Sequence, residues 1–263
     1  MNALKSIWAY RGFIVGSVQR EFQSKYRNSL LGAAWNIINP LAMIAVYTVI
    51  FAQVMRSKLP GVDGTFAYGI YLCAGVLTWG LFAEITGRSQ TMFLDNANLL
   101  KKLNFPRLCL PITVVLNASL NFSIVFGLFC AFLLVSDNFP GWPMLAILPV
   151  LAIHIAFALG LGISLGVLNV FFRDVGQFFG IFLQFWFWLT PIVYPFAILP
   201  ERIKPLMAMN PMTPVMAAYQ GILVSHQWPH WDTLWHRRLL ATVVGLLGLH
   251  LGKKNAGEMV DEL

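Results

Sequence analysis

The stretch FRDVGQFFGIFLQFWFWLTPIVYP, residues 172–195, decides how the rest of the chain is read. It opens on an Arg–Asp pair, carries no further charge, crowds aromatic rings into its middle and closes on two prolines. An uncharged apolar run of about 20 residues crosses the ~30 Å hydrocarbon layer of a bilayer as a helix. Pro191 and Pro195 end such a helix, because proline has no N–H to donate and clashes with the preceding turn. A span that served only as an anchor would not need so many rings. The stretch therefore asks how many such spans the chain has, and what the rings hold.

Composition answers the first question in outline. The 263 residues are 58% hydrophobic and 11% charged, against about 25% charged residues in soluble domains. The chain reads as an all-α integral membrane protein, a single transmembrane domain over residues 1–263 with no room for a separate soluble one. Six apolar runs are long enough to span, at about 33–55, 66–87, 108–135, 142–170, 176–196 and 234–252; the last becomes uninterrupted only after Arg237 and Arg238. Six spans place both termini on one side. With both termini inside, the inner segments hold twelve Lys and Arg and the outer segments six, so the positive-inside bias favours that orientation. The same bias explains the net charge of +7 and leaves no basic patch that speaks for a nucleic-acid partner. Cys73, Cys109 and Cys130 lie apart inside apolar runs and suggest neither a disulfide framework nor a metal site. No removable signal peptide is apparent at the start.

Residues 1–27 form a different kind of element. Leu4, Ile7, Trp8, Ile14, Val15, Val18 and Phe22 recur at helical spacing, with Lys5, Arg20, Glu21 and Lys25 off that stripe. The pattern suits a helix lying in the inner interface, weakened by Gly12 and Gly16; a plain cytosolic tail is the alternative. Between the second and third spans, FLDNANLLKKLNFPRLCLP (93–111) predicts a short helix. Asp95 or Asn96 caps it, Leu99, Leu100 and Leu103 give it an apolar side, Lys101 and Lys102 a basic end, and Pro106 stops it. Three leucines on so short a loop are costly unless something covers them, which points to a cytosolic partner rather than a mere connection.

Four segments occur in a telling order: KYRNSLLGAAWNIINPL (25–41), NANLLKKLNFPRLCLP (96–111), NVFFRDVGQFFGIFLQFWFWLTPIVYP (169–195) and MNPMTPVMAAYQGIL (209–223). Together they resemble the permease subunit of ABC-type polysaccharide exporters, the family that exports O-antigen, capsule and teichoic acid chains. The resemblance covers residues 21–223 and departs at Gln220, where many relatives carry a basic residue. It implies a type-2 ABC exporter permease fold and a multi-pass place in the bacterial inner membrane. It also implies a homodimer bound to separate nucleotide-binding ATPase subunits, which use ATP and Mg. Asn96, Leu99, Leu100, Lys101, Lys102 and Leu103 would form the coupling helix that docks on the ATPase. The cargo would be a lipid-linked polysaccharide. The residues agree that the motor lies elsewhere. A phosphate-binding loop requires G-x-x-x-x-G-K-[ST], and GLHLGKK at 248–254 is one residue short and lacks the hydroxyl. No cofactor or metal set is expected in this chain, and no enzyme activity.

The second question concerns the rings. Phe178, Phe182, Phe185 and Leu189 share one face of the fifth span, with Phe179, Trp186 and Thr190 alongside; since each residue turns by about 100°, at most half of these rings can line one passage. Trp35, Asn39, Met43, Tyr47 and Phe51 form an i+4 series on the first span and offer a second wall. Aromatic faces meet the C–H face of a sugar without demanding a particular hydroxyl pattern. Such contacts hold and release successive units, as a conduit requires. Acidic residues, which a cation or proton path would need, are missing from the middle of both spans. The competing reading assigns these rings to interface belts and helix packing.

Prolines dominate the outer segment. Pro191, Pro195, Pro211 and Pro214 alternate with apolar runs, which predicts short re-entrant helices acting as an outer gate; irregular backbone at membrane depth survives only where protein or a wet cavity covers it. Elsewhere Glu84 and Arg88 form an i,i+4 pair, His154 is read as a packed polar residue, and Gly162-xxx-Gly166 as a close-packing face. Two other classes remain open: a drug or lipid exporter of the same architecture, and a membrane-embedded glycosyl- or acyltransferase. Against the latter, Asp95, Asp174 and His154 lie in separate segments.

Overall fold

The computed structural model describes residues 8–26, 34–50, 59, 64–102, 107–232 and 234. Every regular element among them is helical. In chain order they are α1 (Arg11–Tyr26), α2 (Trp35–Val49), α3 (Ala67–Asp95), α4 (Ala97–Lys102) and α5 (Cys109–Val135). A 3₁₀ turn at Trp142–Ala146 leads into α6 (Ile147–Phe171), followed by α7 (Asp174–Trp188). A second 3₁₀ turn at Phe196–Ile198 precedes α8 (Lys204–Met209) and α9 (Thr213–Ser225).

Three helices are long and apolar enough to cross a membrane: Ala67–Asp95, Cys109–Val135 and Trp142–Phe171. They match the second, third and fourth expected spans, except that α3 runs on from Gly87 to Asp95. The first span is described as far as Ile50, and α2 passes Pro40 without interruption. The sixth, at 234–252, lies outside the described residues apart from Leu234. The fifth is corrected. Its helix ends at Trp188 rather than 196, giving about 22 Å at 1.5 Å per residue. The chain leaves the helix just ahead of Pro191, because a residue before proline is driven out of helical conformation.

α3 is the hub. Its apolar residues face neighbours on every side, and it packs against α2, α5, α6, α7 and α9. A helix apolar all round must be buried on all sides. α5 instead turns Leu116, Leu120, Leu134 and Val135 outward. The closest approach is between α3 and α6. A Cβ on Gly162 would stand 2.5 Å from Ser89 Cβ, and one on Gly166 2.6 Å from the Ser89 carbonyl oxygen. Small residues at i and i+4 let the two backbones touch, as the sequence spacing anticipates.

α1 is continuous through Gly12 and Gly16. Its apolar stripe divides: Ile14 is buried with Tyr10 and Phe13 against the ends of α3, α5 and α6, while Trp8 and Val15 stay exposed. The Arg11 guanidinium sits over the Trp8 ring, 4.9 Å from its centroid.

Candidate functional site

The aromatic helix sorts its rings by face. Phe178, Phe182 and Phe185 are exposed along one side of α7, at 71%, 40% and 65%. Phe178 and Phe182 stack with their planes 12° apart. Phe179 and Trp186 point the other way, into the core. Trp186 was placed with the lining residues by sequence; that assignment is corrected. It is only 8% exposed, meets Phe82 edge-to-face at 5.2 Å, and donates its indole N–H to Asn210 Oδ1 at 2.8 Å. A ring that fills the protomer core with its single donor committed supports Phe182 from behind, at 5.2 Å, and does not itself face a passage.

The expected wall on α2 also divides. Trp35 and Asn39 are exposed, whereas Met43 and Tyr47 are half-buried against the main core. Phe51 lies outside the described residues.

At the opposite end of α7, a buried hydrogen-bond set fixes the turn that follows it. Tyr68 donates its hydroxyl to the Val193 carbonyl at 2.6 Å. The Tyr71 hydroxyl lies 3.1 Å from the Pro191 carbonyl and 2.9 Å from that of Tyr194, sharing one hydrogen between them. Gln220 Nε2 donates to the Pro191 carbonyl at 3.2 Å. Asn210 Nδ2 reaches the Leu189 carbonyl at 3.0 Å and Thr190 Oγ1 at 2.9 Å. Of the gate prolines, Pro191 is buried and Pro195, Pro211 and Pro214 are half-buried, with Pro214 in the first turn of α9. Gln220 thus has a defined task in place of the basic residue of many relatives: it ties α9 to the turn. Room for it exists because residue 75 is glycine; a Cβ there would come within 2.9 Å of Ile192 Cγ2 and 3.1 Å of Gln220 Nε2.

The helix expected to meet a partner is present as α4, directly after α3. Asn96 anchors the junction by donating from Nδ2 to the Met92 carbonyl at 2.8 Å. Its leucines are corrected. Leu100 is buried beside Ile14, Met92, Cys109 and Leu110, and Leu99 packs on the same cluster, so the protein itself covers the apolar side. Asp95, Asn98 and Lys101 are the exposed face. The Lys102 side chain and Leu103 lie outside the described residues. Nearby, burial pushes the Arg107 guanidinium below its usual value, and its Nη1 has no hydrogen-bond partner among the described residues.

Sequence reasoning saw only one edge of a polar ladder across α1, α3 and α5. Arg88 pairs with Glu21 of α1 and with Glu84 at 3.3 Å. Asn117 Nδ2 donates to Glu21 Oε2 at 2.5 Å and Asn121 Nδ2 to Glu84 Oε1 at 2.7 Å. Charges within membrane-crossing helices persist when paired and hydrogen-bonded. Glu84–Arg88 was visible as an i,i+4 pair. Glu21 and Asn117 come from distant segments, and no local signal marks them. Asn169 was missed for the same reason: it accepts the Gly176 N–H at 2.9 Å and donates to the Gln90 carbonyl at 2.9 Å, fixing where α7 begins. His154 is fully buried, stacked on Phe82, with Nδ1 3.4 Å from the Tyr219 hydroxyl, in keeping with a packed polar residue.

The sequence profile of a family described as "ABC-2 type transporter" matches residues 14–224. An "O-antigen export system permease protein RfbA" of Myxococcus xanthus is 32% identical over 236 residues, which cover 89% of this chain and 88% of that one. An RfbA permease of Klebsiella pneumoniae is 29% identical with 89% of each chain covered. The "Polysialic acid transport protein KpsM" of Escherichia coli is 22% identical over 75% of each chain.

Proposed function

Because the chain belongs to the ABC-2 type transporter family, we propose that it is the membrane subunit of an ATP-driven exporter of lipid-linked polysaccharide. In this reading residues 1–263 form one permease domain with six spans and both termini cytoplasmic, in the bacterial inner membrane. Residues 1–27 lie in the inner interface, and α8 and α9 form a short outer cap. Two copies pair around a passage, and separate ATPase subunits supply the energy through ATP and Mg. This chain contributes shape and motion, and no cofactor.

The observation that carries the reading is the exposed ring face of α7. Phe178, Phe182 and Phe185 have no packing role inside the protomer, yet the rings on the opposite face are fully used. Exposed rings in series match what a glycan chain needs, repeated contact with C–H faces and no single deep site. The names of the relatives, O-antigen export and polysialic acid transport, support the same substrate class.

The mechanical route follows from α3. It is a 29-residue rod, about 43 Å long, continuous at one end with α4 and clamped at the other to the Pro191–Tyr194 turn. A push on the polar face of α4, including Asp95, Asn98 and Lys101, tilts α3. The tilt drags the outer turn through Tyr68, Tyr71 and Gln220, so the outer end of α7 follows. The test is reconstitution of the chain and its cognate ATPase in liposomes loaded with lipid-linked glycan. Glycan should appear on the far side only with both subunits and ATP. ATPase stimulation by hydrophobic drugs and not by glycan would instead select a drug or lipid exporter.

A further inference from the structure

Between α2, α3 and α5 lies a cavity of about 260 Å³, lined by Trp35, Asn39, Glu84, Asn121, Ile124 and Val125 among others. Glu84 stands eleven residues before the end of α3 at Asp95, and Asn121 twelve after the start of α5 at Cys109. At 1.5 Å per residue both are about 16–18 Å from the helix ends that border α4, in the half of each helix nearer to α4. The pocket is open to the surface beside exposed α2, whose outward residues Ile37, Ile38 and Leu41 are apolar.

We propose that this pocket binds one sugar ring of the lipid-linked cargo before the glycan enters the passage; the proposal rests on the polysaccharide-export reading. A pyranose has an apolar C–H face and a rim of hydroxyls, and the pocket offers a partner for each. The half-exposed Trp35 ring suits the C–H face. Glu84 accepts Arg88 Nη1 and Asn121 Nδ2, both on Oε1, so among the described residues Oε2 keeps its lone pairs for sugar hydroxyls. Asn121 Oδ1 and the exposed Asn39 amide also make no hydrogen bond among the described residues, adding acceptors and a donor. The volume falls below the about 300–1,000 Å³ of sites for drug-sized ligands, which suits a single ring.

Other ligand chemistries fit less well. An anion such as a phosphate would meet the Glu84 carboxylate, and the one nearby cation, Arg88, is already held by two glutamates. A bare cation would find a single carboxylate that Arg88 has neutralised. An acyl chain would leave three polar side chains facing hydrocarbon.

The test uses the full chain with its ATPase partner in phosphatidylethanolamine–phosphatidylglycerol nanodiscs. Two photoreactive probes of equal chain length are compared, a diazirine alkyl glucoside and a diazirine alkyl phosphate, and labelled peptides are mapped by mass spectrometry. The glucoside should label residues 35–40 and 121–125 at least fivefold more than the phosphate does. Glu84→Gln, Asn39→Ala and Trp35→Leu should each lower that labelling at least threefold. Asn39 and Trp35 are exposed, so they carry the test should Glu84→Gln disturb the ladder and impair folding. Equal labelling by both probes, or labelling indifferent to Asn39→Ala and Trp35→Leu, would overturn the site. ATP-driven glycan export is measured on the same wild-type preparation. Export without pocket labelling sinks the site alone, whereas labelling without export sinks the export reading and the role given to the site.

Discussion

Replacing Gly162 by Ala should force α6 away from α3, and a second substitution should undo the damage. The added Cβ would lie 2.5 Å from Ser89 Cβ and 2.8 Å from Ser89 Oγ, about 1 Å inside ordinary carbon–carbon contact. The obstacle is the root of a side chain on a buried helix, which no rotamer change can move. Overpacking of this kind costs about 1–3 kcal/mol. Ser89→Gly removes both obstructing atoms. Its hydroxyl is buried without a hydrogen-bond partner among the described residues, so its loss breaks no bond, and the added glycine costs about 0.5 kcal/mol in helix propensity. The double variant Gly162→Ala/Ser89→Gly should therefore be more stable than the two single effects add up to, by about 1 kcal/mol or more. Gly166→Ala supplies the control. Its Cβ would meet the Ser89 backbone carbonyl at 2.6 Å and the Phe93 ring at 3.2 Å, which Ser89→Gly leaves in place, so no rescue should follow. Reversible unfolding in bicelles, followed by steric trapping, measures all five variants. A neutral Gly162→Ala, or equal rescue of Gly162→Ala and Gly166→Ala by Ser89→Gly, would refute the contact assigned to these helices.

The two faces of α7 should separate function from stability. Phe178→Ala with Phe185→Ala should cut glycan export at least tenfold with unchanged thermal unfolding, whereas Trp186→Ala should lower stability by about 3–5 kcal/mol, read by the same unfolding assay. Lys101→Glu should weaken co-purification of the ATPase without altering the melting profile, while Leu100→Ala should do the reverse, because Leu100 is buried in the protomer. Arg88→Ala leaves Glu21 and Glu84 unpaired; at 42% and 29% side-chain exposure water offsets part of the loss, so about 1–2 kcal/mol is expected. Hydrogen exchange should accelerate across α1 more than across α6.

Much of this was legible in one dimension. The membrane-crossing helices α3, α5 and α6 follow from uninterrupted apolar runs, since a bilayer imposes a length and a polarity that composition alone satisfies. The end of α7 was misjudged because hydrophobicity continues past Trp188, whereas the backbone responds to Pro191. The leucines of α4 look exposed in sequence; they are covered by Ile14, Cys109 and Leu110 from segments the local pattern cannot connect. Trp186 and Phe185 are adjacent and chemically alike, and nothing local distinguishes core from surface between them.

What the sequence determined by itself was solvent: long apolar stretches with few charges fold as helices in lipid, and glycines at i and i+4 mark where two such helices touch. Tertiary structure alone decided which rings face outward, which carboxylates Arg88 holds, and which carbonyls receive Tyr71 and Gln220. Those contacts join residues up to 125 positions apart, and hydrogen bonds and packing at that separation depend on where two helices meet in space, a quantity no local spacing encodes.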